Sequence, residues 1–211
     1  MIYDICEIWA DIGMALWGIR HSNIYETPHD PSHAIVFVFN HSSYMDIPII
    51  MKTFRKQHYR VLGKAEMGKI PVFGFIYRNA VVMVNRNNAA ARAKSVSRLI
   101  AALRKNISIV IAPEGTFNMS HEPLKSFYDG AFRIAIETKT PVKPVLFLDA
   151  QSRLHHRSIF SLTPGRSRSV FLTEIPVDGL TLGDVPALKQ KVFDVMADGL
   201  RRYKASWIRN D

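Results

Sequence analysis

Residues 40–46, Asn-His-Ser-Ser-Tyr-Met-Asp, follow directly on the apolar run Ala34–Phe39, and together they restrict what this chain can fold into. The run contains Val36, Phe37, Val38 and Phe39 in succession, which predicts a buried strand. Ser42 and Ser43 read as turn and cap residues opening a helix over Met45–Phe54. Open α/β sheets bind ligands at the C-terminal ends of their strands, the position that His41 takes. Asp46 comes one helical turn later, where a carboxylate can return to the imidazole, fix its tautomer and stabilise its protonated form. That is a general base with its orienter and no nearby serine or cysteine nucleophile, so the substrate must bring its own. On spacing alone, a capping histidine with a surface aspartate is the commoner explanation of such a pattern.

The rest of the chain alternates in the same way. Tyr59–Leu62 reads as a short strand, and Met67–Tyr77 as an apolar hairpin or broken helix around Pro71 and Gly74. Ala80–Val84, Ile107–Ala112 and Pro144–Leu148 read as strands, with helices over Asn88–Lys105 and Asp129–Thr138. Ser169–Ile175 alternates like an edge strand, and Leu188, Val192, Val195, Met196, Leu200 and Tyr203 recur at helical spacing. Strands alternating with helices predict a single α/β domain, a central mixed sheet flanked by helices. Residues 2 to 19 form an amphipathic helix, with Ile5, Trp9, Ile12 and Leu16 on one face and Asp4, Glu7 and Asp11 on the other. Trp9 and Trp17 could sit at a lipid headgroup boundary, and packing on the domain's own core is an equal alternative. The expected division is residues 1–25 as this helix, with possible membrane contact, and 26–211 as the functional domain.

Charge narrows the partners. A formal charge of +10 attracts anionic membrane surfaces, phosphorylated substrates, coenzyme A and nucleic acid. No zinc-finger spacing, RNA-binding aromatic motif or long basic run occurs, so no nucleic-acid partner is expected. No apolar stretch reaches the roughly 18 residues that span a bilayer, and no secretory pattern opens the chain. The single cysteine, Cys6, excludes an internal disulfide and fits a reducing compartment.

A second block, Pro113-Glu114-Gly115-Thr116, follows the run Ile107–Ala112. With Asn40-His41…Asp46 it resembles the glycerophospholipid acyltransferase family, whose 1-acylglycerol-3-phosphate acyltransferases carry N-H-x4-D and P-E-G-T blocks. Lys64-Ala65-Glu66-Met67, the run Ala80–Val84 ending in Asn85-Arg86, and Val142-Lys143-Pro144-Val145 fit too, in family order over residues 34 to 148. The resemblance implies acyl transfer from coenzyme A or acyl carrier protein to the sn-2 hydroxyl of lysophosphatidic acid. Neither a metal nor a tightly bound cofactor is expected. It implies that His41 is the base and Asp46 its orienter, with Lys64, Arg86, Glu114, Gly115 and Thr116 binding the acceptor. Chemically, Arg86 can fork onto two phosphate oxygens and Lys64 supplies a point charge. Gly115 allows close backbone approach, and Thr116 can donate a hydrogen bond. Glu114 cannot bind phosphate, and would hold a glycerol hydroxyl or order Arg86 and Lys64.

The departures bear on the head group. Family members often have Phe before the proline and Arg after the threonine, where this chain has Ala112 and Phe117; Ala80 replaces a usual Gly. Lys125 and Arg133 are the nearby candidates for the missing charge. Members usually carry a longer hydrophobic N-terminus, which implies a trimmed or a naturally short form here. The expected place is the cytoplasmic face of the inner membrane, peripheral or monotopic, on an anionic surface. The near phosphate-loop Gly63–Ile70 ends in Ile70, which offers no hydroxyl to magnesium. His155-His156 has no ligand-spaced partner, so no metal is expected there. An acyltransferase for another lysophospholipid or an aminolipid, a hydrolase activating water, and a non-enzymatic membrane or acyl-carrier binding module remain the rivals.

Overall fold

A computed structural model describes residues 2–28, 30, 32–55, 57–69, 77, 81–84, 88–158 and 160–208. The elements run α1 (Ile2–Leu16), β1 (Ile19–Tyr25), β2 (Val36–Phe39), α2 (Asp46–Thr53), β3 (Tyr59–Lys64), β4 (Val81–Val84), α3 (Ala89–Leu103) and β5 (Ser108–Ile111). They continue with α4 (Gly130–Thr138), β6 (Val142–Phe147), the single turn α5 (Ala150–Arg153), β7 (Gly165–Phe171) and α6 (Val185–Arg202). Seven strands form one sheet in the order β1-β7-β6-β2-β5-β3-β4. Strands β6, β2, β5, β3 and β4 are mutually parallel, while β7 runs antiparallel to β6 and β1 parallel to β7. This is the mixed, helix-flanked α/β sheet that the alternation predicts.

Strand β2 shows why the sheet has two cores. Val36 and Val38 point into the cluster with Leu99, Phe132, Val192 and Leu200 from α3, α4 and α6. Phe37 and Phe39 point the other way, with Met14 of α1, Ile49 of α2 and Phe54. A strand buried on both faces must be continuously apolar, and all four residues of β2 are buried. Gly199 of α6 permits close approach to the sheet: a Cβ there would lie 2.7 Å from Leu146 Cδ1.

Two elements differ from the sequence reading. The N-terminal helix ends at Leu16, and Ile19–Tyr25, partly counted within it, forms strand β1 on the sheet's edge. Its sequence, Ile-Arg-His-Ser-Asn-Ile-Tyr, lacks an apolar alternation because its inward positions are polar: His21 and Asn23 face Ser167 and Thr53. Strand β7, expected at an edge near Ser169–Ile175, spans Gly165–Phe171 and is covered on both sides by β6 and β1. Most of the expected element Met67–Tyr77 lies outside the described residues.

Helix α1 lies with a polar and small face inward. Cys6, Ala10 and Met14 are buried, Asp11 pairs with Lys52 and Arg55, and Glu7 pairs with Arg55 at 3.4 Å. Its apolar stripe faces outward: Ile5, Ile8, Ile12 and Leu16 are 52, 58, 57 and 80% exposed, with Trp9 at 39%. Among the described residues no helix is long and apolar enough to cross a membrane.

Candidate active site

Because β2, β5, β3 and β4 are parallel, their C-terminal ends meet at one edge of the sheet. His41 follows β2, Glu114-Gly115-Thr116 follows the adjacent β5, and Lys64 closes β3 one strand further. Arg86, beyond β4, lies outside the described residues. The sheet order alone thus brings six of the seven expected residues to one edge.

The histidine is fixed from several directions. Asn40, 1% exposed, donates from Nδ2 to Phe147 O (3.0 Å) and accepts from Phe147 N at Oδ1 (2.8 Å). Its amide therefore imitates a peptide and prolongs the β2–β6 ladder by one rung. His41 N donates to Glu114 Oε1 at 2.8 Å, and His41 O accepts from Asn118 N at 2.7 Å. His41 Nδ1 lies 2.7 Å from Asp46 Oδ2, which also accepts from Ser42 N (3.0 Å) and Ser43 N (3.1 Å). The oxygen that accepts both amides also accepts from His41 Nδ1–H, which leaves the lone pair on Nε2. Among the described residues Nε2 has no hydrogen-bond partner, and the side chain is 27% exposed. Asp46 is the first residue of α2 and 1% exposed, where the helix N-terminus favours its negative charge. Ser43 serves the turn as expected, accepting from Met45 N at 3.0 Å, and its hydroxyl donates to Leu154 O.

Glu114 sits deeper than an acceptor-binding carboxylate would need to. It is 2% exposed, and its second oxygen accepts from Lys125 N at 2.8 Å. Each carboxylate oxygen thus receives one backbone amide, so Glu114 ties the His41 loop to the Lys125 segment. Burial pushes its pKa up to about 7, against the pull of these two amides. Gly115 has φ of 71°, a left-handed conformation that only glycine adopts freely, and its amide closes a turn on Ala112 O at 3.1 Å. Thr116 Oγ1 accepts from Lys125 Nζ at 2.8 Å. Lys64 is exposed at the rim.

Three participants escaped the sequence reading. Phe117, noted only as a missing arginine, packs its ring edge-on to His41 (centroids 4.4 Å apart) and to Tyr44 (4.9 Å). Asn118 is 1% exposed, and its Oδ1 accepts from Ser120 N and Oγ (3.0 and 2.7 Å). An Asn with Ser two places on is an Asx-turn signature, which could have identified it. Asn40 stands in the N-H-x4-D block, but no local pattern announces that its amide bonds to Phe147 of β6. The rings of His155 and His156 lie 4.2 Å apart, tilted by 31°, and no group of three potential ligands that could hold a metal occurs among the described residues.

The acyltransferase family profile matches residues 19–148. An uncharacterized acyltransferase of Schizosaccharomyces pombe is 30% identical over 78% of this chain and 60% of its own length. Human 1-acyl-sn-glycerol-3-phosphate acyltransferase beta is 30% identical over 72% of this chain and 55% of its own. The chain thus spans less than two thirds of either relative. The crystal structure of the 1-acyl-sn-glycerophosphate (LPA) acyltransferase from Thermotoga maritima shares the fold, with a TM-score of 0.75 over 98% of this chain and 81% of that one at 23% identity. With the profile covering well over half of its residues, this chain belongs to the acyltransferase family.

Proposed function

We propose that the protein transfers an acyl chain from a thioester to the sn-2 hydroxyl of lysophosphatidic acid, giving phosphatidic acid. The observation that carries this reading is the His41–Asp46 pair of 2.7 Å at the strand edge, its Nε2 unbonded, one carboxylate away from Thr116 and Lys125. In the reaction His41 Nε2 takes the proton from the acceptor hydroxyl as its oxygen attacks the thioester carbonyl. Asp46 stabilises the imidazolium that results. The tetrahedral intermediate collapses with cleavage of the carbon–sulfur bond, and the proton passes from Nε2 to the departing sulfur. Lys64, Arg86, Gly115 and Thr116 serve the acceptor; Glu114 serves it by holding the two backbone segments between which it binds. Coenzyme A and acyl carrier protein are both suitable donors, since each offers a thioester on an anionic carrier. Human 1-acyl-sn-glycerol-3-phosphate acyltransferase beta, by its name, supports the acceptor.

The outward stripe of α1 supports a peripheral position on a membrane, and our reading puts it on the cytoplasmic face, where donor thioesters are made. The acidic side chains Glu7 and Asp11, which would repel an anionic surface, are paired with Arg55 and Lys52. That leaves the basic excess of the chain to attract the lipid.

The test is thiol release from palmitoyl-coenzyme A with and without lysophosphatidic acid. Release that needs the acceptor, and that falls by about 10²–10⁴ in a folded His41→Ala variant, is the expected result. Near-wild-type release by that variant would sink the reading, and release without acceptor would make the protein a thioesterase.

A further inference from the structure

Phe117 occupies the place where an arginine would serve the acceptor, and its ring is committed to His41 and Tyr44. On this side of the site, away from Lys64 and Arg86, the phosphate of a lysophosphatidic acid therefore needs another cation. Nine residues beyond Thr116 the chain returns to the site. Lys125 N donates to Glu114 Oε2 and Lys125 Nζ to Thr116 Oγ1, both at 2.8 Å. Leu124 and Phe127, 6 and 7% exposed, are buried in the core close to it in the chain, so the segment is anchored. No carboxylate among the described residues lies within ion-pair distance of this ammonium. One of its three N–H donors faces Thr116 and two are left for a ligand. Arg133, the other candidate, lies on the exposed side of α4.

Resting on the acyl-transfer reading above, we propose that Lys125 and the Thr116 hydroxyl together bind the phosphate monoester of the acyl acceptor and set the preference for it. The geometry suits such a ligand. One carboxylate, Glu114, holds the amide of the base on one oxygen and the amide of the cation on the other. The reacting hydroxyl and the phosphate-bearing carbon of the acceptor are neighbours in the same way. An ammonium is a point charge that tolerates phosphate rotation, unlike a bidentate guanidinium, so Lys125 selects for charge more than for orientation. Phe117 then forms an apolar wall beside the base, against which the glycerol carbons can rest.

The experiment compares Lys125→Met, Lys125→Arg and wild type on 1-acylglycerol 3-phosphate and on phosphate-free 1-acylglycerol, in mixed micelles with palmitoyl-coenzyme A. Circular dichroism and a melting curve establish that the variants fold. Loss of a hydrogen bond to a charged group corresponds to about a 10- to 100-fold effect. Lys125→Met is expected to lower kcat/KM on the phosphate acceptor by that factor relative to the phosphate-free one, chiefly through KM, with Lys125→Arg restoring part of it. Equal losses on both acceptors, or an unchanged KM in Lys125→Met, overturn the assignment while leaving acyl transfer standing. A wild type that turns over neither acceptor overturns both.

Discussion

The two ends of α2 each hold a histidine, and the two are built for opposite ends. At the N-terminus His41 gives one nitrogen to a buried carboxylate at 2.7 Å and keeps the other free. At the C-terminus His21 satisfies both nitrogens with neutral groups: Nδ1 lies 3.1 Å from Ser167 Oγ, and Nε2 2.9 Å from Asn23 Oδ1 and 3.3 Å from Thr53 Oγ1. The negative end of a helix dipole should favour a cation there, yet burial dominates and pushes the His21 pKa down to about 4. More hydrogen bonds therefore do not make a better base. What distinguishes a candidate base is an ionised partner on one nitrogen and vacancy on the other.

The comparison can be broken at its strongest point first. Asp46→Asn keeps the shape but removes the charge and the tautomer preference, so kcat should fall by about 10²–10⁴ with little change in KM. Acyl-transfer rates within tenfold of wild type would remove the basis for separating His41 from His21.

Stability against pH tests the two burials against each other. Glu114 has its folded pKa raised from 4.5 to about 7. Its contribution is full below about pH 4.5 and is lost as pH rises through about 7, a change of about 3 kcal/mol. His21 is lowered from 6.5 to about 4, so its contribution is present above about 6.5 and is lost as pH falls towards 4. The two slopes oppose each other between about pH 4.5 and 6.5. Denaturation of Glu114→Gln should expose a rise with pH in that window, and His21→Gln a fall; parallel curves for both variants would contradict the assignment.

The smallest expected effect sharpens the contrast. His21→Gln should leave acyl transfer within about threefold of wild type while costing about 1–2 kcal/mol, from hydrogen bonds made less well. A loss comparable to that of His41→Ala would show that the far end of α2 is part of the chemistry.

Much of this was legible in the residues, for identifiable reasons. The continuous apolar run of β2 and the run Ile109–Ile111 of β5 are dictated by burial on both faces, and His41, Asp46 and Glu114 follow these two runs at fixed spacing. Strand β1 was not legible because its inward positions are polar and are satisfied by partners about 30 and 146 residues away. That β7 is interior depends on β1, so the second misreading follows from the first. The role of Glu114 as a clasp between two amides requires His41 and Lys125 to be adjacent, which no local pattern announces. Phe117 is similar: an aromatic residue after a turn reads as a departure until its neighbours are known.

The side chain of Asn40 has a thermodynamic consequence. By continuing the β2–β6 ladder through an amide group, and with His41 held on both its N–H and its C=O, it fixes the loop before any ligand arrives. The configurational entropy of that loop is lost once, when the chain folds, and is offset there by the burial of the whole sheet. Each later encounter with a substrate then begins from a loop already in place, so the ordering cost is absent from every cycle of turnover.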